Sequence, residues 1–176
     1  MRPRGRTLVP LLAVVLLTSC GSSQQAGPVL TGYGATRTDF AKGKEAAPGE
    51  KDDCCFLPKQ ADGSFRYLDA AYDKQSDDRV LTYAMSFVPR IGIAKAQKVV
   101  LDQLPRDAKL VVTANRRECK SMEYKSTLLQ GVVNGAPSDV SVAFYSSPVR
   151  GRPFDGVHVT EIRFAAQMPS DHPIPC

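Results

Sequence analysis

Residues 79–87, RVLTYAMSF, constrain the fold more than any other stretch of the chain. Leu81, Tyr83, Met85 and Phe87 recur at period two with Thr82, Ala84 and Ser86 between them, as in a strand with one buried face. Pro89 and Gly92 are expected to end it. IAKAQKVVLDQL then places Ile93, Ala96, Val100 and Leu104 along one helical face and Lys95, Lys98 and Asp102 on the other, and Pro105 ends the helix. AKLVVTANR reads as a β-branched strand with Leu110, Val112 and Ala114 on one face.

Residues 119–124 fit a strand or a helix equally well. Thr127, three residues before Gln130, has the spacing of a capping box ahead of the apolar stripe Leu128, Leu129, Val132 and Val133. Two alternating runs, DVSVAFYSS and GVHVTEIRFAAQ, follow as an antiparallel hairpin around a Pro/Gly/Arg loop. Residues 65–71 add a further strand. The order after residue 79 is βαβαββ, so the fold class expected is α+β: a two-layer sandwich of a mainly antiparallel sheet with about two helices on one face.

The other informative stretch is the start. Arg2, Arg4 and Arg6 precede an apolar run from Leu8 to Leu17, which gives way to Thr18, Ser19 and Cys20. This is the order of a secretory signal. Ten helical residues rise only about 15 Å, half of a hydrocarbon core of roughly 30 Å, so a permanent span is not expected. Leu17-Thr18-Ser19-Cys20 resembles the lipobox of bacterial lipoproteins. The resemblance covers the first twenty residues alone. It implies that Cys20 is lipidated, becomes the mature N-terminus after cleavage, and anchors the protein in the cell membrane on its extracytoplasmic face. Two or three acyl chains suffice for stable anchoring where one does not.

Three parts are therefore expected: a signal peptide over 1–19, a lipidated N-terminus and tether over 20–51, and a single α+β domain over 52–176. Residues 21–51 are rich in Gly, Ala, Ser and Thr and show no sustained period, the composition of a linker. Gly32-Tyr33-Gly34 lacks the third glycine and the flanking strand and helix of a dinucleotide loop. The formal charge of +5 counts 23 Lys+Arg against 18 Asp+Glu, and three of the arginines leave with the signal. A nearly balanced mature chain argues against nucleic acid as a partner.

Excluding Cys20, four cysteines remain: Cys54, Cys55, Cys119 and Cys176. An even count in an exported domain reads as two disulfides. A bond between the adjacent Cys54 and Cys55 would strain the peptide joining them, so each is expected to pair with Cys119 or Cys176, in either order. The pairwise spacing of a redox site or a zinc site is absent, and no cofactor or metal is expected.

Neither a nucleophile elbow nor a Walker loop occurs, and the only histidines are His158 and His172. A hydrolase would need His158 beside a hydroxyl and a carboxylate. The carboxylates Asp69, Asp73, Asp77 and Asp78 lack calcium-loop spacing and read as solvated turn residues. Two basic groups, Arg116, Arg117 and Lys120 (with Lys125 further on) and Arg150 with Arg152, are the candidate partner-binding residues. Loops of that kind carry recognition more often than scaffolds do. The expectation is thus a membrane-tethered, non-enzymatic binding or scaffold module whose partner is a protein, a lipid or an envelope polymer. A carrier or sensor of an apolar ligand is the alternative.

Overall fold

The computed structural model describes residues 29–46, 56–58, 65–73, 78–132 and 139–166. They form α1 (Arg37–Ala41), β1 (Lys44–Ala46), β2 (Phe56–Pro58), β3 (Phe65–Asp73), β4 (Arg79–Gly92), α2 (Ile93–Gln103), β5 (Lys109–Asn115), β6 (Lys120–Lys125), α3 (Thr127–Val132), β7 (Asp139–Tyr145) and β8 (His158–Ala166). The strands make one open sheet in the order β1-β2-β3-β4-β8-β7-β6-β5, with every pair antiparallel. The fold is the α+β arrangement read from the sequence. Of the stretch 119–124, residues 120–124 resolve as strand, because β6 bridges β5 and β7, and Cys119 lies just before it.

Strand alternation and register put one row of large side chains on a single face. Tyr83 and Met85 stand opposite Phe164 and Ile162, which stand opposite Val142 and Phe144. Met122 and Tyr124 extend the row through β6. The helices close this face: Phe40 of α1, Ala96 and Val100 of α2 and Leu129 of α3 belong to the same buried cluster. At its centre Tyr83 stacks on Phe164 with ring centroids 4.5 Å apart, and Phe40 meets Tyr83 at 5.1 Å. Offset aromatic pairs of this kind add about 0.5–1.5 kcal/mol beyond their burial.

Three expectations need correction. First, the folded body begins well before residue 52. Leu30, Tyr33, Ala35 and Phe40 are all buried in the core, and Thr36 caps α1 by accepting the Asp39 N–H. The glycines around Tyr33 make this possible. A Cβ on Gly32 would lie 2.2 Å from the Gln103 carbonyl oxygen, and Gly34 sits at φ +80°, so both positions need glycine. Tyr33 N–H then bonds the Gln103 carbonyl (2.8 Å), completing the end of α2.

Second, of the two residues expected to end β4, Gly92 does so and Pro89 does not, the strand running through it. Its register with β8 breaks between Ser86 and Ile91, leaving Val88, Pro89 and Arg90 exposed outside the ladder, where a proline forfeits no hydrogen bond. Third, Thr127 and Gln130 do not form the capping box. Ser126 is the cap, its Oγ accepting the Leu129 N–H (3.2 Å), and Asp107 accepts from Ser126 Oγ (2.6 Å), Thr127 Oγ1 (2.8 Å) and Leu128 N–H (3.0 Å).

Candidate anion-binding surface

The two basic groups meet at one end of the sheet. Arg116 and Arg117 lie in the turn from β5 to β6, closed by the Arg116 N–H on the Cys119 carbonyl (2.8 Å). Arg150 and Arg152 lie in the loop from β7 to β8. The Phe154 N–H donates to the Arg117 carbonyl (2.9 Å), and the Gly151 N–H donates to Glu118 Oε2 (3.0 Å). Segments more than thirty positions apart are thereby fastened together.

A cleft of ≈ 210 Å³ opens beside the second loop, with Glu118, Tyr145, Ser147, Arg150, Arg152 and Arg163 on its walls; Arg116 and Arg117 do not line it. Arg163 lies over the Tyr145 ring at 4.8 Å and donates to Glu161, so its charge is partly met. Arg116, Arg117, Arg150 and Arg152 are exposed, and none of them makes an ion pair among the described residues. Burial raises the Tyr145 phenol further above its ordinary range, which keeps it a neutral hydrogen-bond donor. Several guanidinium groups beside a neutral hydroxyl suit an anion, because each planar fork can grip two oxygens of a phosphate or carboxylate.

Lys120 and Lys125 do not join this surface. Lys120 pairs with Phe144 and alternates onto the face of Met122 and Tyr124. Lys125 stands at the opposite end of β6, 3.8 Å from Asp139. Sequence reasoning missed Arg163 and Tyr145, which face the cleft only because β8 and β7 are neighbours in register. The period-two outward positions of the last strand were the available signal for Arg163.

The loop also tests the hydrolytic reading. A triad needs the histidine between hydroxyl and carboxylate. Here the carboxylate stands between: Ser146 Oγ donates to Asp155 Oδ1 (3.1 Å), and His158 Nδ1 meets Asp155 Oδ2 (3.2 Å). The N–H groups of His158 and Val157 also bind Asp155 Oδ1 at 2.8 Å, holding its carboxyl well below the usual range. Asp155 is the knot of the loop, with Arg90 3.9 Å away. Among the described residues, no group of three or more His, Cys, Asp and Glu could hold a metal ion.

Cys119 is fully buried and disulfide-bonded. Its partner lies outside the described residues, as do Cys20, Cys54, Cys55 and Cys176. No described helix is long and apolar enough to cross a membrane. Compared with known proteins, the chain matches no family, no curated protein and no solved structure.

Proposed function

We propose that the protein is a lipid-anchored extracytoplasmic binding module, without chemistry of its own, that grips an acidic envelope polymer through Arg150, Arg152, Arg116 and Arg117. The anchor is Cys20 and the membrane is that of the cell surface. One observation carries the choice of partner: the arginine loops stand at the end of the sheet opposite the point where the chain enters the fold. The entering segment lies against the end of α2, with Tyr33 on Gln103 and Gly34 N–H on the Val80 carbonyl, beside the Asp107 cap of α3. The arginine turn begins beyond Asn115, at the far end of β5.

A six-residue strand length separates the two ends by about 20 Å. Only residues 21–28 lie between the anchoring cysteine and the first described residue, a span of no more than about 30 Å when fully extended. A tether of that length keeps the body close to the membrane, and the arginine end is then the natural one to meet a polymer beyond the headgroups. The apolar-ligand alternative gains no support from the helical face of the sheet, where Tyr83, Phe40, Phe144 and Phe164 fill the space.

The test is titration of the chain from residue 21 with long-chain polyphosphate and with polyglutamate. At least one polymer should bind, with affinity falling as salt rises. Arg150→Ala/Arg152→Ala should weaken that binding at least tenfold while leaving the circular dichroism spectrum unchanged. Equal binding by wild type and variant would remove the proposed surface.

A further inference from the structure

We propose that a cavity at the end of α2 binds a single alkyl chain with an anionic head, the head held by Arg106 and the Tyr33 hydroxyl.

The cavity, of ≈ 300 Å³, lies where residues 29–33 meet the end of α2 and the start of α3. Leu30, Leu104, Pro105 and Leu128 supply its apolar lining, and Arg106 is the one charged residue on its walls. Ligand sites span about 300–1,000 Å³, so this one suits a single chain better than the two tails of a diacyl lipid. Its walls are already set. Gly32 brings the backbone so close to the Gln103 carbonyl that a Cβ would lie 2.2 Å from the oxygen, and the Tyr33 N–H bonds that same carbonyl at 2.8 Å. Leu30, Leu104 and Pro105 are buried, which carries the cavity down to the margin of the core.

Two polar groups on these walls have no answer within the fold. Arg106 is exposed and makes no ion pair among the described residues. Asp107 follows it in sequence but does not line the cavity, and its oxygens already accept from Ser126, Thr127 and Leu128. Tyr33 is 2 % exposed, yet its hydroxyl makes no hydrogen bond to a described group. Burial alone raises this phenol, which keeps it protonated and able to donate. A buried donor calls for an acceptor. A carboxylate or phosphate head would take the hydroxyl proton and the guanidinium fork together, while its tail lay against the leucines. A neutral or cationic guest would leave Arg106 unmatched.

The cavity is distinct from the arginine loops at the far end of the sheet and from the face filled by Tyr83, Phe40, Phe144 and Phe164. Under the proposed anchor it stands at the end of the body nearest the membrane, where such molecules are supplied, although the cavity itself does not depend on that reading.

The test is photolabelling of the full-length protein in phosphatidylcholine nanodiscs with a diazirine-bearing decanoic acid. Cleavage after Lys98 and Arg106 isolates peptide 99–106, which becomes 99–109 in Arg106→Gln. Saturable adducts on residues 103–106 are expected, displaced by unlabelled decanoate. Arg106→Gln should raise the decanoate concentration needed for displacement about threefold, the scale of one partly exposed ion pair, and leave that of decanol unchanged. Lysophosphatidylglycerol carrying the same chain serves as a second competitor: whichever anion displaces the probe at lower concentration identifies the source as free fatty acid or lipid. Labelling should persist in Arg150→Ala/Arg152→Ala, which separates this site from the arginine surface. Absence of saturable adducts on 103–106, or an equal change for decanoate and decanol in Arg106→Gln, would overturn the proposal.

Discussion

Asp107 shows how a single carboxylate organises a helix twenty residues away. Burial pushes its carboxyl up, but hydrogen bonds from Ser126, Thr127 and the backbone N–H groups of Leu128 and Thr127 outweigh that and bring its pKa to about 2. A carboxyl depressed in the folded state stabilises above its unfolded value, near 3.9, and ceases to do so as pH falls to about 2. Asp107→Asn is therefore expected to lower stability by about 1 kcal/mol at pH 7, the scale of a lost helix cap. The difference in melting temperature from wild type should shrink between pH 4 and pH 2, and a constant difference would contradict this assignment. Sequence spacing points to Thr127 and Gln130 instead, because a capping box is a local pattern and Asp107 arrives through the fold. The same holds for Gly32: its composition reads as linker, and only the approach of Gln103 shows why no side chain fits there.

At the scale of elements, legibility follows the strength of the period. β4, α2, β7 and β8 are readable because each alternates or repeats over seven residues or more against one core. β5 is readable as a strand but not as an edge. Leu110, Val112 and Ala114 look like a buried face, yet β5 pairs only with β6 and the register slips between Leu110 and Val112. Leu110, Val111 and Val112 are 50 %, 52 % and 43 % exposed as a result. An unprotected apolar edge favours association between chains. Val111→Lys should change unfolding free energy by no more than about 0.5 kcal/mol, the usual range for an exposed site. It should also delay aggregation of concentrated protein, measured by light scattering; a large loss of stability would show that Val111 is packed.

For the whole molecule, the class of fold was legible and the extent of the domain was not. Leu30, Tyr33, Ala35 and Phe40 enter the core at irregular intervals, so residues 29–46 carry no periodic signature even though they fill it. The candidate surface was half legible. Arg116, Arg117, Arg150 and Arg152 stand out as charges in turns, but their convergence depends on the Phe154 to Arg117 and Gly151 to Glu118 bonds, which no spacing encodes. For the proposed anchor at Cys20, the burial of Leu30 and Tyr33 leaves only residues 21–28 as linker in sequence.

The proposed compartment, and the side on which a partner is proposed to wait, both depend on attachment at Cys20. Intact mass spectrometry of the protein extracted from membranes tests it most directly. The account predicts a chain beginning at Cys20 and heavier than its sequence by a diacylglyceryl group, with or without a further acyl chain. A chain that still carries residues 1–19, with an unmodified Cys20, would contradict it.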